Sequence, residues 1–194
     1  MVILFFSMIV ENNLRNIHRM VRNTFQMGQC FHEHQTTGNG TGTVLQTLGM
    51  AVFQDTDHIV NVEIKTDNIF YPQLEEKVLA LEKEKGMEGR IVYSSFNHYT
   101  VRKIRQLAPD AQIGMLFGDV LVEPYDYCKS LGANLLHPSK ANLNVPGFAE
   151  KAREAGLGMN VWTVNEVEYM EKCLACGAGI VTNYPDIAVK LRNK

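Results

Sequence analysis

The chain has 194 residues, 45% of them hydrophobic, with 19 basic against 21 acidic side chains. That length suits one well-buried domain, and the near-neutral balance excludes a polybasic nucleic-acid surface and an acidic disordered tail alike. Cys30, Cys128, Cys173 and Cys176 include one CxxC and no second pair, so buried structural thiols in a reducing, cytoplasmic setting are expected.

Residues 1–10 are apolar but too short to span a bilayer, and they lack a basic n-region and a small-residue cleavage site. A buried strand or an apolar leader is expected there, with no membrane anchor. Leu14, Ile17, Met20, Val21 and Phe25 recur at helical spacing, and Gly28 sits where that helix would end. Residues 38–42 form a glycine-rich loop without the Lys-Ser/Thr of a P-loop.

From residue 59 the pattern becomes regular. Val60, Val62 and Ile64 alternate with Asn61, Glu63 and Lys65, the period of a strand with one apolar and one polar face. Helices are predicted over 72–85, 99–107, 124–131, 146–155, 166–175 and 185–192. Between them, strands are predicted over 90–96, 112–117, 133–138, 158–164 and 179–182, with Gly or Pro marking most boundaries. Alternating strands and helices on short links imply parallel strands with right-handed crossovers. Six such units fill 59–194, and residues 1–58 are divergent within the same single domain. A TIM (β/α)8 barrel-like α/β fold with an incomplete or irregular N-terminal part is the reading; a doubly wound sheet is the alternative.

Glu63 and Lys65 share one strand face two residues apart. Their carboxylate and ammonium suit a divalent metal and a phosphate respectively, and equally a surface ion pair. Polar residues also close the strand at Ser94-Ser95-Phe96-Asn97 and the strand at Trp162-Thr163-Val164-Asn165. Asn61-Val62-Glu63-Ile64-Lys65, Ser95-Phe96-Asn97, Asn160-Val161-Trp162-Thr163-Val164-Asn165 and Gly177-Ala178-Gly179-Ile180-Val181-Thr182-Asn183-Tyr184-Pro185 together make the chain resemble the glycerophosphodiester phosphodiesterase family. The resemblance implies a metal-dependent TIM barrel that splits glycerophosphodiesters into glycerol 3-phosphate and an alcohol.

By that resemblance Glu63 would ligate Ca²⁺ or Mg²⁺, Lys65 would contact the phosphate, and Trp162 would line the mouth against substrate. Ser95 and Phe96 would shape the wall, and His137 would either face the mouth or be structural. Family members carry His-Arg-Gly, Pro-Glu-Asn, Glu-x-Asp and His-Asp segments before a Thr-Thr-Asn-Gly-Thr-Gly-like loop. Here Thr36-Thr37 and Asn39-Gly40-Thr41-Gly42 resemble the loop, and Glu11-Asn12-Asn13 resembles the Pro-Glu-Asn segment, making Glu11 a second metal candidate. His32 or His34 would fill an acid/base role, while no His-Arg-Gly or Glu-x-Asp is present. Two functions therefore compete: a phosphodiesterase with a divergent entrance half, and an inactive barrel remnant that binds a phosphate or phosphodiester. An incomplete barrel exposes strand edges, so either residues 1–10 act as a replacement strand or two copies form a homodimer across the open edge.

Overall fold

A computed structural model describes residues 4–7, 9–10, 58–66 and 71–194. The helix expected near 11–29 and the loop at 38–42 lie outside them. Two short strands, β1 (Leu4–Ser7) and β2 (Ile9–Val10), come first in the chain. Six β/α units follow: β3 (Val60–Ile64) with α1 (Leu74–Glu84), β4 (Ile91–Ser95) with α2 (His98–Leu107), and β5 (Gln112–Phe117) with α3 (Pro124–Ser130). Then come β6 (Leu135–Pro138) with α4 (Phe148–Glu154), β7 (Gly158–Val161) with α5 (Val167–Cys176), and β8 (Gly179–Val181) with α6 (Pro185–Arg192).

Strands β3 to β8 pair in parallel in chain order, as the alternation predicts. β1 runs antiparallel on β3, with Leu4 opposite Ile64, and β2 runs antiparallel on β8, with Ile9 opposite Val181. One stretch of chain thus sits on both edges of the parallel sheet, the pairing of a replacement strand. Its direction departs from the all-parallel order of a complete barrel.

Period-two alternation sorts each strand. Val60, Val62 and Ile64 on β3, Ile91 and Tyr93 on β4, and Ile113, Met115 and Phe117 on β5 join Leu74, Val78, Val101 and Ile104 of the helices in one outer core. Val62, wholly buried, contributes about 2 kcal/mol by removal from water, an upper figure for a chain already partly collapsed when unfolded. The helix ends have local causes. The Asn97 side chain accepts the Tyr99 N–H at 3.0 Å and starts α2, and Pro124 and Pro185 start α3 and α6. Gly177 ends α5 at φ 77°, a left-handed turn that a side chain would strain.

Cys128 and Cys173 are buried, and burial pushes both thiols up to about 12. Cys176 donates its S–H to the Cys173 carbonyl at 3.4 Å within α5, so this CxxC is part of helix packing. Among the described residues no helix is long and apolar enough to cross a membrane.

Candidate active site

The alternation that turns Val62 and Ile64 outward turns Asn61, Glu63 and Lys65 to the inner face of the curled sheet. Register then sets out a row of inner-face residues: Glu63 pairs with Ser94, Ser94 with Gly114, Gly114 with Leu135, and Leu135 with Gly158. His137 and Asn160 lie one step nearer the strand C-termini. The Asn160 amide nitrogen is 2.9 Å from His137 Nε2; the amide donates, so the ring accepts there and carries its proton on Nδ1. Burial alone drives this imidazole's pKa down to about 3, so His137 is a neutral packing element. Of the two placements expected for His137, the structural one is observed.

Lys65 stands at the C-terminal end of β3, where barrel enzymes place their chemistry. The backbone on either side of it is tied to the next strand end. Ser95 Oγ donates to the Ile64 carbonyl at 2.6 Å, and the Asn97 amide donates to the Thr66 carbonyl at 3.0 Å. These two bonds set Lys65, between residues 64 and 66, beside Phe96, between residues 95 and 97. Behind them runs a buried polar chain. Thr66 and Thr100 hydroxyls are 2.8 Å apart, Thr100 donates to Glu75 Oε1 at 3.0 Å, and Lys103 donates to Glu75 Oε2 at 3.0 Å. Thr100 has one proton and gives it to the carboxylate, so Thr66 is the donor in the first contact.

The Lys65 ammonium meets Glu63 Oε1 at 2.7 Å, with the two side chains 31% and 15% exposed. The arrangement realises the ion pair that the spacing allows, and keeps a cation at the mouth. Across it, Trp162 Nε1 donates to the His137 carbonyl at 2.7 Å, which fixes the indole. The Phe96 ring meets the Trp162 ring edge-on, with centroids 5.3 Å apart and planes at 86°. Trp162 thus packs at the strand C-termini against the partly exposed Phe96.

Beyond Trp162, Asn165 Oδ1 accepts the Thr182 hydroxyl at 3.3 Å and the Asn183 N–H at 3.1 Å, fastening the β7 and β8 ends together. Ser139 donates to the Gly118 carbonyl at 2.6 Å and Asn142 to the Asp119 carbonyl at 3.2 Å, within an unpredicted 3-10 helix, Lys140–Asn144.

The structure therefore pairs Glu63 with Lys65 and sets Trp162 against Phe96, whose strand end is tied to the backbone on either side of Lys65. Glu11, His32 and His34 lie outside the described residues. Among the described residues no three His, Cys, Asp or Glu side chains cluster to hold an ion. Ca²⁺ and Mg²⁺ take six or more oxygen ligands, and Glu63 is one carboxylate already facing an ammonium. The described residues by themselves do not fit a tightly held divalent cation. Ser94 and Asn160 stand in the polar strand-end segments of the sequence, but only the register places them on the inner face. The alternation of their strands agrees, since each sits out of phase with the outward apolar positions.

A row of parallel strands wrapped by helices, with a lysine, a carboxylate and two aromatics at the strand C-termini, is the layout of a barrel-type α/β protein. The family follows from direct comparison. The model of the glycerophosphoryl diester phosphodiesterase family matches residues 13–187, and the chain belongs to that family. It is 38% identical over 141 residues to a glycerophosphodiester phosphodiesterase of Caldanaerobacter subterraneus, covering 72% of this chain and 58% of the relative. A Bacillus altitudinis enzyme of the same name is 30% identical over 170 residues, covering 86% and 69%. The chain thus spans a little over half the length of the first of these curated relatives. Among solved structures, a glycerophosphodiester phosphodiesterase of Agrobacterium tumefaciens shares the fold with a TM-score of 0.59 at 20% identity, covering 74% of this chain and 60% of that one. An Oleispira antarctica phosphodiesterase in complex with the product sn-glycerol-3-phosphate gives 0.52 at 19% identity, covering 62% and 51%.

Proposed function

We propose that this chain binds a glycerophosphodiester at the mouth formed by Lys65, Phe96 and Trp162 and hydrolyses it to glycerol 3-phosphate and an alcohol. The observation that carries the reading is Lys65, a cation held at a strand C-terminus by bonds on both sides, in a chain of this family. Its three N–H donors and point charge suit a phosphodiester oxygen, and the ion pair with Glu63 keeps it at the mouth until the anion arrives. Trp162 and Phe96 give the apolar parts of the diester a wall and keep water from one side of the phosphate. Hydrolysis adds water across a P–O bond, and the departing alkoxide takes up a proton. His32 and His34 are the candidates for moving those protons, by resemblance. A divalent cation, when bound, would neutralise phosphate charge; Glu63, and Glu11 by resemblance, are the ligands proposed for it. The cytoplasmic setting and a role in lipid-derived diester breakdown belong to the same proposal.

The test is release of glycerol 3-phosphate from glycerophosphocholine by folded protein, with Ca²⁺ or Mg²⁺ and with a chelator, alongside Lys65→Met. Turnover that Lys65→Met lowers by about ten-fold or more supports the reading, since a charge-assisted bond to phosphate is lost. Binding of glycerol 3-phosphate without turnover would instead leave the alternative, a barrel that retains phosphate recognition alone. Turnover unaffected by Lys65→Met would remove Lys65 from the site.

A further inference from the structure

Ser94 sits on β4 directly opposite Glu63, on the inner face, and is 2% exposed. Among the described residues its hydroxyl has no hydrogen-bond partner. A buried hydroxyl left unpaired is unfavourable by an amount that sequences rarely retain without a use. Glu63 is unsatisfied in a matching way. Its Oε1 lies 2.7 Å from the Lys65 ammonium, yet accepts no well-directed hydrogen bond among the described residues. An unused donor and an under-used acceptor therefore occupy neighbouring positions of one strand pair.

The rest of the row leaves the carboxylate few choices. Gly114, Leu135 and Gly158, which continue it across the sheet, have no polar side-chain atoms. Asn61, the other inward polar residue of β3, has a partner elsewhere, and its buried Oδ1, which accepts no hydrogen bond among the described residues, can offer the carboxylate no proton. When Lys65 turns to a phosphate oxygen, Glu63 loses part of its counter-charge while remaining mostly buried. A carboxylate in that position needs a donor. The Ser94 hydroxyl is free to rotate and lies across the strand pair at side-chain reach.

We propose that Ser94 is a positioning residue: its O–H donates to the Glu63 carboxylate when Lys65 leaves that carboxylate for the substrate phosphate. The proposal rests on the phosphate role of Lys65 given above for its ligand, and on the register for its geometry. Ser94 touches neither substrate nor reacting atoms in this scheme. It keeps Glu63 in place so that the lysine can exchange partners without stranding a buried charge.

The consequence is a change of sign that a purely structural serine would not show. In the ligand-free protein, Ser94→Ala removes an unpaired hydroxyl and raises Tm by about 2 °C. In a Lys65→Met background the hydroxyl already serves Glu63, and the same substitution lowers Tm by a similar amount. The double-mutant cycle is read by calorimetry without ligand, metal or turnover. In parallel, affinity for glycerol 3-phosphate is followed by emission of Trp162, the chain's one tryptophan. Ser94→Ala weakens it about ten-fold, the loss of one charge-assisted hydrogen bond. Equal Tm changes in the two backgrounds overturn the proposal, as does unchanged affinity in a protein that binds the ligand. If the wild-type chain binds no glycerol 3-phosphate, the phosphate reading fails, and the Tm cycle still decides for or against Ser94.

Discussion

The His137 ring fills the space that a side chain at Gly114 would need: a Cβ there would lie 2.4 Å from the ring's Cε1 and Nε2. Gly114 on β5 and His137 on β6 face the same interior, and the missing side chain of one makes room for the imidazole of the other. Gly114→Ala must therefore push the ring off Asn160 or bend β5. Overpacking of this kind destabilises by about 1–3 kcal/mol, and the substitution is expected to lower Tm by several degrees in a thermal melt. An unchanged Tm would show that the ring has another resting place.

The same histidine makes stability depend on pH. Folding lowers its pKa from the ordinary 6.5 to about 3, so between those values the unfolded chain binds the proton and the folded chain does not. Its contribution is complete above about pH 6.5 and is lost progressively as pH falls toward about 3. The slope is about 1.4 kcal/mol per pH unit, or about 2 kcal/mol between pH 6.5 and pH 5. Urea melts of the wild type and of His137→Gln across that window should converge as pH falls. Parallel curves would show that His137 is protonated in the folded protein.

Thr100 links the end of β3 to α1 through Thr66 and Glu75. Thr100→Val keeps the shape and removes the hydroxyl, leaving Thr66 Oγ1 and Glu75 Oε1 each short of a partner in a buried place. A loss of about 1–3 kcal/mol in chemical denaturation is expected. Because Thr66 adjoins Lys65, weaker glycerol 3-phosphate binding should accompany it. A stability loss with unchanged binding would mean that Ser95 and Asn97 hold Lys65 without help.

Removal of residues 1–10 uncovers β3 and β8 together. Both become unpaired edges of a parallel sheet, which such sheets seldom leave open. The shortened chain is expected to self-associate in sedimentation velocity at concentrations where the full chain does not. If it stays monomeric with the same Tm, the antiparallel pairings of β1 and β2 contribute nothing to the fold.

The six β/α units were legible because two local signals agree along their length. Val60, Val62 and Ile64 state a strand by alternation, and Pro124, Gly177 and Pro185 punctuate helices by steric rule. Glu63 and Lys65 were legible as a pair because spacing alone puts them on one face. Other features depend on partners far away in the chain. The 3-10 turn at Lys140–Asn144 is held by Asn142 bonds to the Ser139 and Asp119 carbonyls, which no window around residue 140 reveals. The Trp162 orientation comes from a carbonyl on the neighbouring strand. The inward role of Ser94 needs both the strand's face and its register with Glu63, and only the first is written locally.

The position of residues 4–10 has a mechanical consequence. β3 and β8 are the far ends of a six-strand series, yet β1 on one and β2 on the other are a single residue apart in the chain. Tension applied at the N-terminus loads β1 on β3 first and, once that pairing yields, β2 on β8. Peeling this short piece away turns a ring into a ribbon whose ends are free to diverge, and β3, which carries Glu63 and Lys65, is one of those ends. The stretch that closes the sheet therefore also bears on how firmly the strand carrying Glu63 and Lys65 is held.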